Sequence, residues 1–130
     1  MSKILIIDDS ELVLAMASDA LQGAGYEVFT ATNGIEANSY IFSTTNRPDL
    51  IILDVMMSEP DDGFFLAQKF RREKIKVPII MYTSISKTTG MDFGKSELVP
   101  VDEYVEKPIS PDELIEKVKK LLKKRKEESN

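Results

Sequence analysis

The sequence contains no cysteine, no histidine and no tryptophan among its 130 residues. Without cysteine, the chain can form neither a disulfide scaffold nor a cysteine-ligated zinc site. Without histidine, it lacks the commonest general base, the Ser-His-Asp arrangement and the ligand of most transition-metal sites. Enzyme classes that depend on these side chains are therefore excluded.

Long hydrophobic runs and an excess of positive charge are also missing. No apolar stretch approaches the roughly 20 residues that a membrane-spanning helix needs. The amino-terminal run Ile4–Ile7 is too short for a secretory signal and leads directly into Asp8. The net charge is −5, from 17 basic and 22 acidic residues, and such a balance disfavours nucleic-acid binding. We therefore expect a cytoplasmic protein with neither a nucleic-acid nor a membrane partner.

The length suits one compact domain that buries its core without disulfides. No internal repeat or low-complexity segment indicates a second domain. We expect a single domain over residues 1–124, followed by a charged tail over residues 125–130.

Short β-branched runs alternate with segments of helical periodicity. Strands are predicted at Lys3–Asp8, Glu27–Ala31, Asp49–Asp54, Val77–Tyr82 and Asp102–Glu106. Helices are predicted at Glu11–Gln22, from Asn33 to about Ser43, at Phe64–Arg72 and from Ser110 to the lysine-rich end. This alternation indicates an α/β fold with a parallel sheet and helices on both faces. Between strands four and five, residues 84–100 show little helical periodicity, so we expect a short, displaced or mobile helix there.

The helices carry start signals and apolar faces. Asn33 with Glu36, and Ser110 with Glu113, have the spacing of capping boxes. The residues expected to face the core are Val13, Ala17, Ala20 and Leu21 in the first helix, Phe65, Leu66 and Phe70 in the third, and Leu114, Val118, Leu121 and Leu122 in the last.

Polar residues follow four of the five predicted strands. Strand one ends in Asp8 and Asp9, strand three in Asp54, strand four in Thr83, and strand five in Lys107. In an open parallel sheet, ligands bind at the carboxyl ends of the strands. These strand ends should therefore place three carboxylates, a hydroxyl and an ammonium group together.

This grouping predicts phosphoryl chemistry that depends on a divalent metal. Three adjacent acids repel one another, and a cation relieves that repulsion. Oxygen ligands favour Mg²⁺ or Mn²⁺. Asp54 can act as the nucleophile and form an acyl phosphate, while Lys107 and Thr83 bind phosphoryl oxygens.

Each of these residues taken singly has an ordinary structural interpretation. Asp9 alone would be a turn or helix-capping residue, Asp54 a loop residue, Thr83 a capped strand end and Lys107 a solvated lysine. Four polar and mutually complementary strand ends are not expected by chance, so the joint interpretation as a site is preferred.

The sequence resembles the receiver domains of bacterial two-component response regulators over essentially its whole length. The resemblance rests on Ile4–Ser10, Pro48–Met57, Pro78–Ser84 and Tyr104–Pro108. It implies a flavodoxin-like, five-stranded parallel sheet of order 2-1-3-4-5, a fold for which a receiver protein is already a known example.

The resemblance also implies a metal site and a phosphoacceptor. Asp54 would accept a phosphoryl group from a sensor histidine kinase or a histidine phosphotransfer protein. Asp9 and Asp54 would bind Mg²⁺ through their side chains, Met56 through its backbone carbonyl and Asp8 through water.

The remaining site residues would form a switch. By resemblance, Thr83 supplies the switch hydroxyl and Lys107 binds the phosphoryl group. Tyr104 is the aromatic residue that swings inward when the hydroxyl engages the phosphoryl group. A local change of charge would then alter a surface near strand five that a partner protein reads.

Two other functions fit parts of the sequence. A small Mg²⁺-dependent aspartyl-phosphate phosphatase or phosphotransferase would use the same nucleophile, but such enzymes often carry a second acid where this chain has Met56, and they need further substrate-binding loops. A non-phosphorylated interaction module would be expected to have lost part of the pocket. Turnover of a phosphate ester would favour the first, and failure to bind Mg²⁺ would favour the second.

Overall fold

The computed structural model describes residues 2–43, 45–54, 62–83, 101–106 and 110–128. Within these ranges the strands are β1 (Lys3–Ile7), β2 (Glu27–Ala31), β3 (Leu50–Asp54), β4 (Ile79–Thr83) and β5 (Glu103–Glu106). The helices are α1 (Glu11–Gly23), α2 (Gly34–Ile41), α3 (Asp62–Arg72) and α4 (Pro111–Glu128). No helix in the described ranges is long and apolar enough to cross a membrane.

The strands form one parallel sheet in the order β2-β1-β3-β4-β5. This is the predicted flavodoxin-like topology. In the middle of the sheet, all five residues of β3 are buried. Because both faces of a central parallel strand are covered, its sequence is apolar from Leu50 to Leu53 and becomes polar only at Asp54, where the strand ends.

Successive residues of each strand face opposite sides of the sheet, which divides the core into two layers. In β1, Leu5 and Ile7 belong to the layer under α2 and α3, whereas Ile4 and Ile6 belong to the layer under α1 and α4. Fully buried Phe70 is the largest side chain of the first layer. The two layers hold the sheet rigidly from both sides.

The helix starts follow the predicted capping patterns. Asn33 Oδ1 accepts a hydrogen bond from the backbone N–H of Glu36 at 2.9 Å. In return, a Glu36 carboxylate oxygen accepts from the Thr32 hydroxyl and, at 2.8 Å, from the Thr32 backbone N–H. These bonds, the hydroxyl bond foremost, lower the pKa of Glu36. At α4, Ser110 Oγ accepts from the N–H of Glu113 at 3.1 Å.

Two predictions about helix faces are wrong. Phe65 is 65% exposed, and Ala67 takes the core position between Leu66 and Phe70. In α1, Leu14 is buried, whereas Val13 is only partly buried. A short apolar pattern does not determine the rotational phase of a helix, because several faces then carry similar hydrophobicity.

Strands β3 and β5 begin one residue later than predicted, and an aspartate precedes each of them. Asp49 Oδ2 accepts from the backbone N–H of Lys3 at 2.8 Å, and Asp102 Oδ2 accepts from that of Ile79 at 2.8 Å. These side chains satisfy backbone donors where the neighbouring strands start.

At the other end of the chain, α4 continues through Glu128. Arg125 lies on this helix, and its guanidinium donates to the carbonyl oxygen of Asp49 at 2.8 Å. The proposed domain boundary at residue 124 therefore falls inside a helix. The segment 84–100, for which a short, displaced or mobile helix was expected, lies outside the described residues.

Candidate functional site

Three carboxylates meet at the carboxyl edge of the sheet. Asp54 is the last residue of β3, and Asp8 and Asp9 directly follow β1. Because Ile7 is paired with Leu53 in the parallel register, the two strand ends lie side by side. One carboxylate oxygen from each aspartate lies within 4.8 Å of the others. The structure thus brings together the three acids that the sequence analysis placed in one pocket.

The three acids differ in their exposure to solvent. Asp8 and Asp54 are 1% and 2% exposed, whereas Asp9 is an exposed residue. Buried carboxylates are rare unless they are paired or bind a metal. The arrangement is therefore a polar pocket with a buried floor and one acid at its mouth.

The backbone holds Asp8 firmly. Its N–H donates to the carbonyl oxygen of Ala31 at the end of β2, at 3.0 Å. Its Oδ1 accepts from the backbone N–H of Ser10 at 2.9 Å. One side of the pocket is consequently fixed before any ligand arrives.

Ser10 has a role that the sequence analysis did not assign. Its Oγ accepts from the backbone N–H of Val13 at 3.3 Å and caps α1. Helix α1 therefore begins at Glu11, two positions after Asp9, and its dipole directs partial positive charge toward this edge. A serine placed directly before Glu11 and a helical segment is a recognisable capping signal.

The chemistry of the donors suits a hard divalent cation. Three oxygen donors of like charge within a few ångströms repel one another, and Mg²⁺ prefers carboxylate oxygens in such clusters. Asp8, Asp9 and Asp54 are the residues that could hold the ion. Met56, whose backbone carbonyl was predicted as a further ligand, lies outside the described residues.

Thr83 is the last residue of β4 and reaches the same edge of the sheet. The register pairs Asp54 with Tyr82, and Thr83 with Glu106. The backbone of Thr83 thus lies one position beyond the level of Asp54 on the neighbouring strand. Lys107, which follows Glu106 in the sequence, lies outside the described residues.

Tyr104, the predicted switch aromatic, lies in β5 and is paired with Met81. It is partly buried and packs against the core layer under α2 and α3. Tyr82, on the neighbouring strand, packs against the opposite layer. The two tyrosines therefore face opposite sides of the sheet, and only Tyr104 shares a face with α3.

A polar cluster that the sequence analysis missed anchors β5 at its amino end. The Arg71 guanidinium donates to the carbonyl oxygens of Ile75 and Val77 at 2.8 and 2.9 Å, and to Asp102 at 2.9 Å. The same Asp102 oxygen accepts from the N–H of Ile79. This cluster fixes the start of the strand that carries Tyr104. Arg71 and Asp102 are 31 positions apart in the sequence, so local sequence patterns do not reveal their contact.

Two exposed apolar side chains lie on α1, the helix that follows Asp9 in the sequence. Leu12 is 70% exposed and Met16 is 63% exposed. They are four residues apart on α1, so they lie on one face of this helix. Exposed large apolar residues that share one helix face favour a protein partner.

Comparison with known proteins identifies the family. The family model described as the response regulator receiver domain matches residues 4–119. The chain is 36% identical over 126 residues to the alkaline phosphatase synthesis transcriptional regulatory protein PhoP of Bacillus subtilis, and 34% identical over 122 residues to the response regulator SaeR of Staphylococcus aureus. These matches cover 94% of this chain but 49% and 51% of the relatives. The chain thus spans about half the length of the curated relatives it matches.

Solved structures give the same assignment. The response regulator TrrA of Thermotoga maritima, solved in complex with Mg²⁺ and BeF, is 37% identical, with a TM-score of 0.75 over 93% of this chain and 99% of that one. A CheY-like receiver domain protein from Methanospirillum hungatei is 26% identical, with a TM-score of 0.82 over 98% of both chains. By its sequence, its sheet order and its cluster of three aspartates, this chain belongs to the response regulator receiver domains of two-component systems.

Proposed function

We propose that this domain is a phospho-accepting switch in which Asp54 receives a phosphoryl group from a phosphohistidine on a partner, in a Mg²⁺-dependent reaction. The observation that carries the proposal is the placement of the Asp8, Asp9 and Asp54 oxygens within 4.8 Å at one sheet edge. The domain would catalyse only its own phosphorylation and dephosphorylation.

The metal would be held by the carboxylates of Asp9 and Asp54, by Asp8 through water, and by the backbone carbonyl of Met56. When bound, Mg²⁺ neutralises the charge of the carboxylates and of the incoming phosphoryl oxygens. A rigid pocket suits this task because phosphoryl transfer depends mainly on alignment and charge neutralisation.

Asp54 supplies the nucleophile. A lone pair on one carboxylate oxygen forms the new O–P bond, the P–N bond of the donor breaks, and its electron pair returns to the imidazole nitrogen, which takes a proton from solvent. The product is an acyl phosphate on Asp54. Because β3 is buried along its whole length and paired with a strand on each side, the attacking oxygen lies at the end of a well-packed strand, which favours its alignment.

Thr83 and Lys107 would bind the oxygens of the attached phosphoryl group. Thr83 lies at the end of β4, on the strand next to the one that ends in Asp54, and Lys107 follows Glu106, the last residue of β5, in the sequence. Engagement of Thr83 would pull the end of β4 toward Asp54 and open space for Tyr104 to turn inward. The surface near β5 would then differ between the two states, as a switch requires.

The partner that delivers the phosphoryl group is proposed to be a sensor histidine kinase or a histidine phosphotransfer protein in the cytoplasm. The exposed side chains of Leu12 and Met16 offer it an apolar contact on α1, the helix that follows Asp9 in the sequence. The relatives named as transcriptional regulators are about twice as long, and the output of this domain is proposed to pass through a partner protein.

Incubation with Mg²⁺ and acetyl phosphate tests the assignment. Intact-mass measurement should show one added phosphoryl group on the wild type and on Asp19→Asn, which removes an exposed acid on α1. Asp54→Asn should gain none, and withholding Mg²⁺ should abolish the gain. Labelling of Asp54→Asn to the wild-type level would refute the phosphoacceptor, and continued release of phosphate from a small phosphate ester would favour an enzyme instead.

A further inference from the structure

A second polar cavity lies at the opposite edge of the sheet, where the strands begin. It has a volume of about 200 Å³. Its walls come from the end of α2, the loop before β3, the segment between α3 and β4, and α4. The lining residues are Ile41, Arg47, Pro48, Lys74, Ile75, Lys76, Val77 and Arg125. Half of these residues are cationic, and the other half are apolar.

Of the four cations that line this cavity, Arg125 is paired with an acid, and the other three are not. Arg47, Lys74 and Lys76 are exposed, and their side chains form no hydrogen bond or ion pair with another residue in the described part of the chain. The neighbouring acids have other partners: Asp49 pairs with Arg125 at 3.6 Å, and Glu73 pairs with Lys69 at 3.9 Å. In a protein whose net charge is −5, this edge is locally positive.

Lys74 has an unusual backbone conformation for its residue type. Its φ is 65°, in the left-handed region that favours glycine. The N–H of Lys74 donates to Arg71 and that of Ile75 donates to Phe70, which is the Schellman pattern at a helix end. Lysine thus occupies the position where a helix normally ends in glycine.

The end of α1 provides an internal comparison. There the N–H of Gly25 donates to Gln22 and that of Tyr26 donates to Leu21, which is the same pair of bonds. Gly25 has a φ of 97°. Helices α1 and α3 therefore end in the same motif, with Gly25 in the left-handed position of α1 and Lys74 in that of α3. The side chain of Lys74 lines the cavity. Backbone strain of this kind concentrates at functional sites.

We propose that this cavity binds a small, multiply charged phosphate anion of the pyrophosphate class. The three unpaired cations match an anion that carries several negative charges, and arginine can bind phosphate oxygens in pairs. The apolar walls formed by Ile41, Ile75 and Val77 exclude water from one side of the cavity, which strengthens the ionic contacts. The site is independent of Asp54 and of the proposed phosphoryl transfer.

Titration with pyrophosphate in metal-free buffer at low ionic strength tests the proposal by calorimetry. Lys74→Gly and Lys76→Gln should each weaken binding about three- to tenfold, because each removes one ionic contact. Arg72→Gln is the matched control, since Arg72 is an exposed cation at the end of α3 that does not line the cavity. Asp54→Asn should bind pyrophosphate as the wild type does.

The midpoint temperature of thermal unfolding distinguishes the relief of backbone strain at Lys74 from a folding defect in the variant. Lys74→Gly should unfold at a higher temperature than the wild type, because glycine adopts this backbone conformation without steric cost, and yet it should bind pyrophosphate more weakly. A lower midpoint would contradict the strain argument. In NMR spectra, the amide signals of Ile75, Lys76 and Val77 should shift on titration.

Three results would overturn the site. One is the absence of pyrophosphate binding by the wild type at low ionic strength. Another is an equal loss of affinity in Arg72→Gln, which would indicate nonspecific attraction. The third is binding of poly-glutamate without binding of pyrophosphate, which would indicate an acidic protein surface as the ligand.

Discussion

The change Asp9→Asn should make the metal-free protein more stable. Asp9 carries a negative charge whose oxygen lies within 4.8 Å of those of both Asp8 and Asp54. At that separation, the repulsion between two unit charges is about 0.9 kcal/mol in a water-like dielectric and about 3.5 kcal/mol at an effective dielectric of about 20. Because Asp9 is exposed, the lower figure applies. Relief of two such repulsions amounts to about 1–2 kcal/mol at low ionic strength.

Urea unfolding with and without Mg²⁺ measures this effect. In metal-free buffer, the free energy of unfolding should rise by about 1–2 kcal/mol in Asp9→Asn, and the gain should shrink as salt screens the charges. With Mg²⁺ at about one hundred times its dissociation constant, the wild type should gain about 2.7 kcal/mol. The variant should gain much less, because it lacks one of the proposed ligands.

Glu11→Gln is the matched control. Glu11 is an exposed acid in the first turn of α1, outside the group of three carboxylates that the structure places together. Its removal should lower stability slightly, because an acid at a helix amino terminus is favourable, and it should leave the Mg²⁺ response unchanged. If Asp9→Asn were less stable than the wild type without metal, or kept the full gain with Mg²⁺, the electrostatic reasoning would be refuted.

Three further changes test other parts of the structure. Phe70→Ala should lower the free energy of unfolding by about 3–5 kcal/mol in urea titrations, because Phe70 is fully buried, and a loss below about 1 kcal/mol would contradict its central position. Glu36 has a lowered pKa in the folded protein. Its contribution to stability is therefore present above its unfolded pKa and is lost as the pH falls through its folded pKa. Glu36→Gln should flatten the decline of the urea midpoint below about pH 4. Asp102→Asn weakens the ion pair with Arg71 and should lower stability by about 1 kcal/mol, and faster amide hydrogen exchange in β5 than in β2 would localise the effect.

The acid pocket was predictable because apolar runs locate strand ends within a residue or two. Leu50 to Leu53 is apolar throughout and Asp54 is not, so the position of its carboxylate follows from the strand pattern and from the rule that parallel strands end at one edge. The same reasoning places Asp8 at the end of β1. These residues needed no knowledge of distant contacts.

Other features depend on contacts that local patterns do not contain. Phe65 was expected in the core and is exposed, whereas Ala67 is buried beside Leu66 and Phe70, because the rotational phase of a helix depends on its packing against the sheet. The bond between Arg71 and Asp102 joins residues far apart in sequence. The left-handed conformation at Lys74 could not be predicted, because the sequence has lysine where glycine would signal it. The cavity lined by Lys74 therefore could not be predicted from the sequence either.

The burial of β3 has a consequence for time-resolved measurements. Every residue of this strand is covered, and it is hydrogen-bonded to a strand on each side, so its amide hydrogens should exchange with solvent only when the whole domain opens. Exchange rates at Leu50–Leu53 would then report the global opening equilibrium, while rates elsewhere report local fluctuations. The amide exchange rates of β3 thus measure how much each ligand stabilises the whole domain, and rates in other segments can be compared with them.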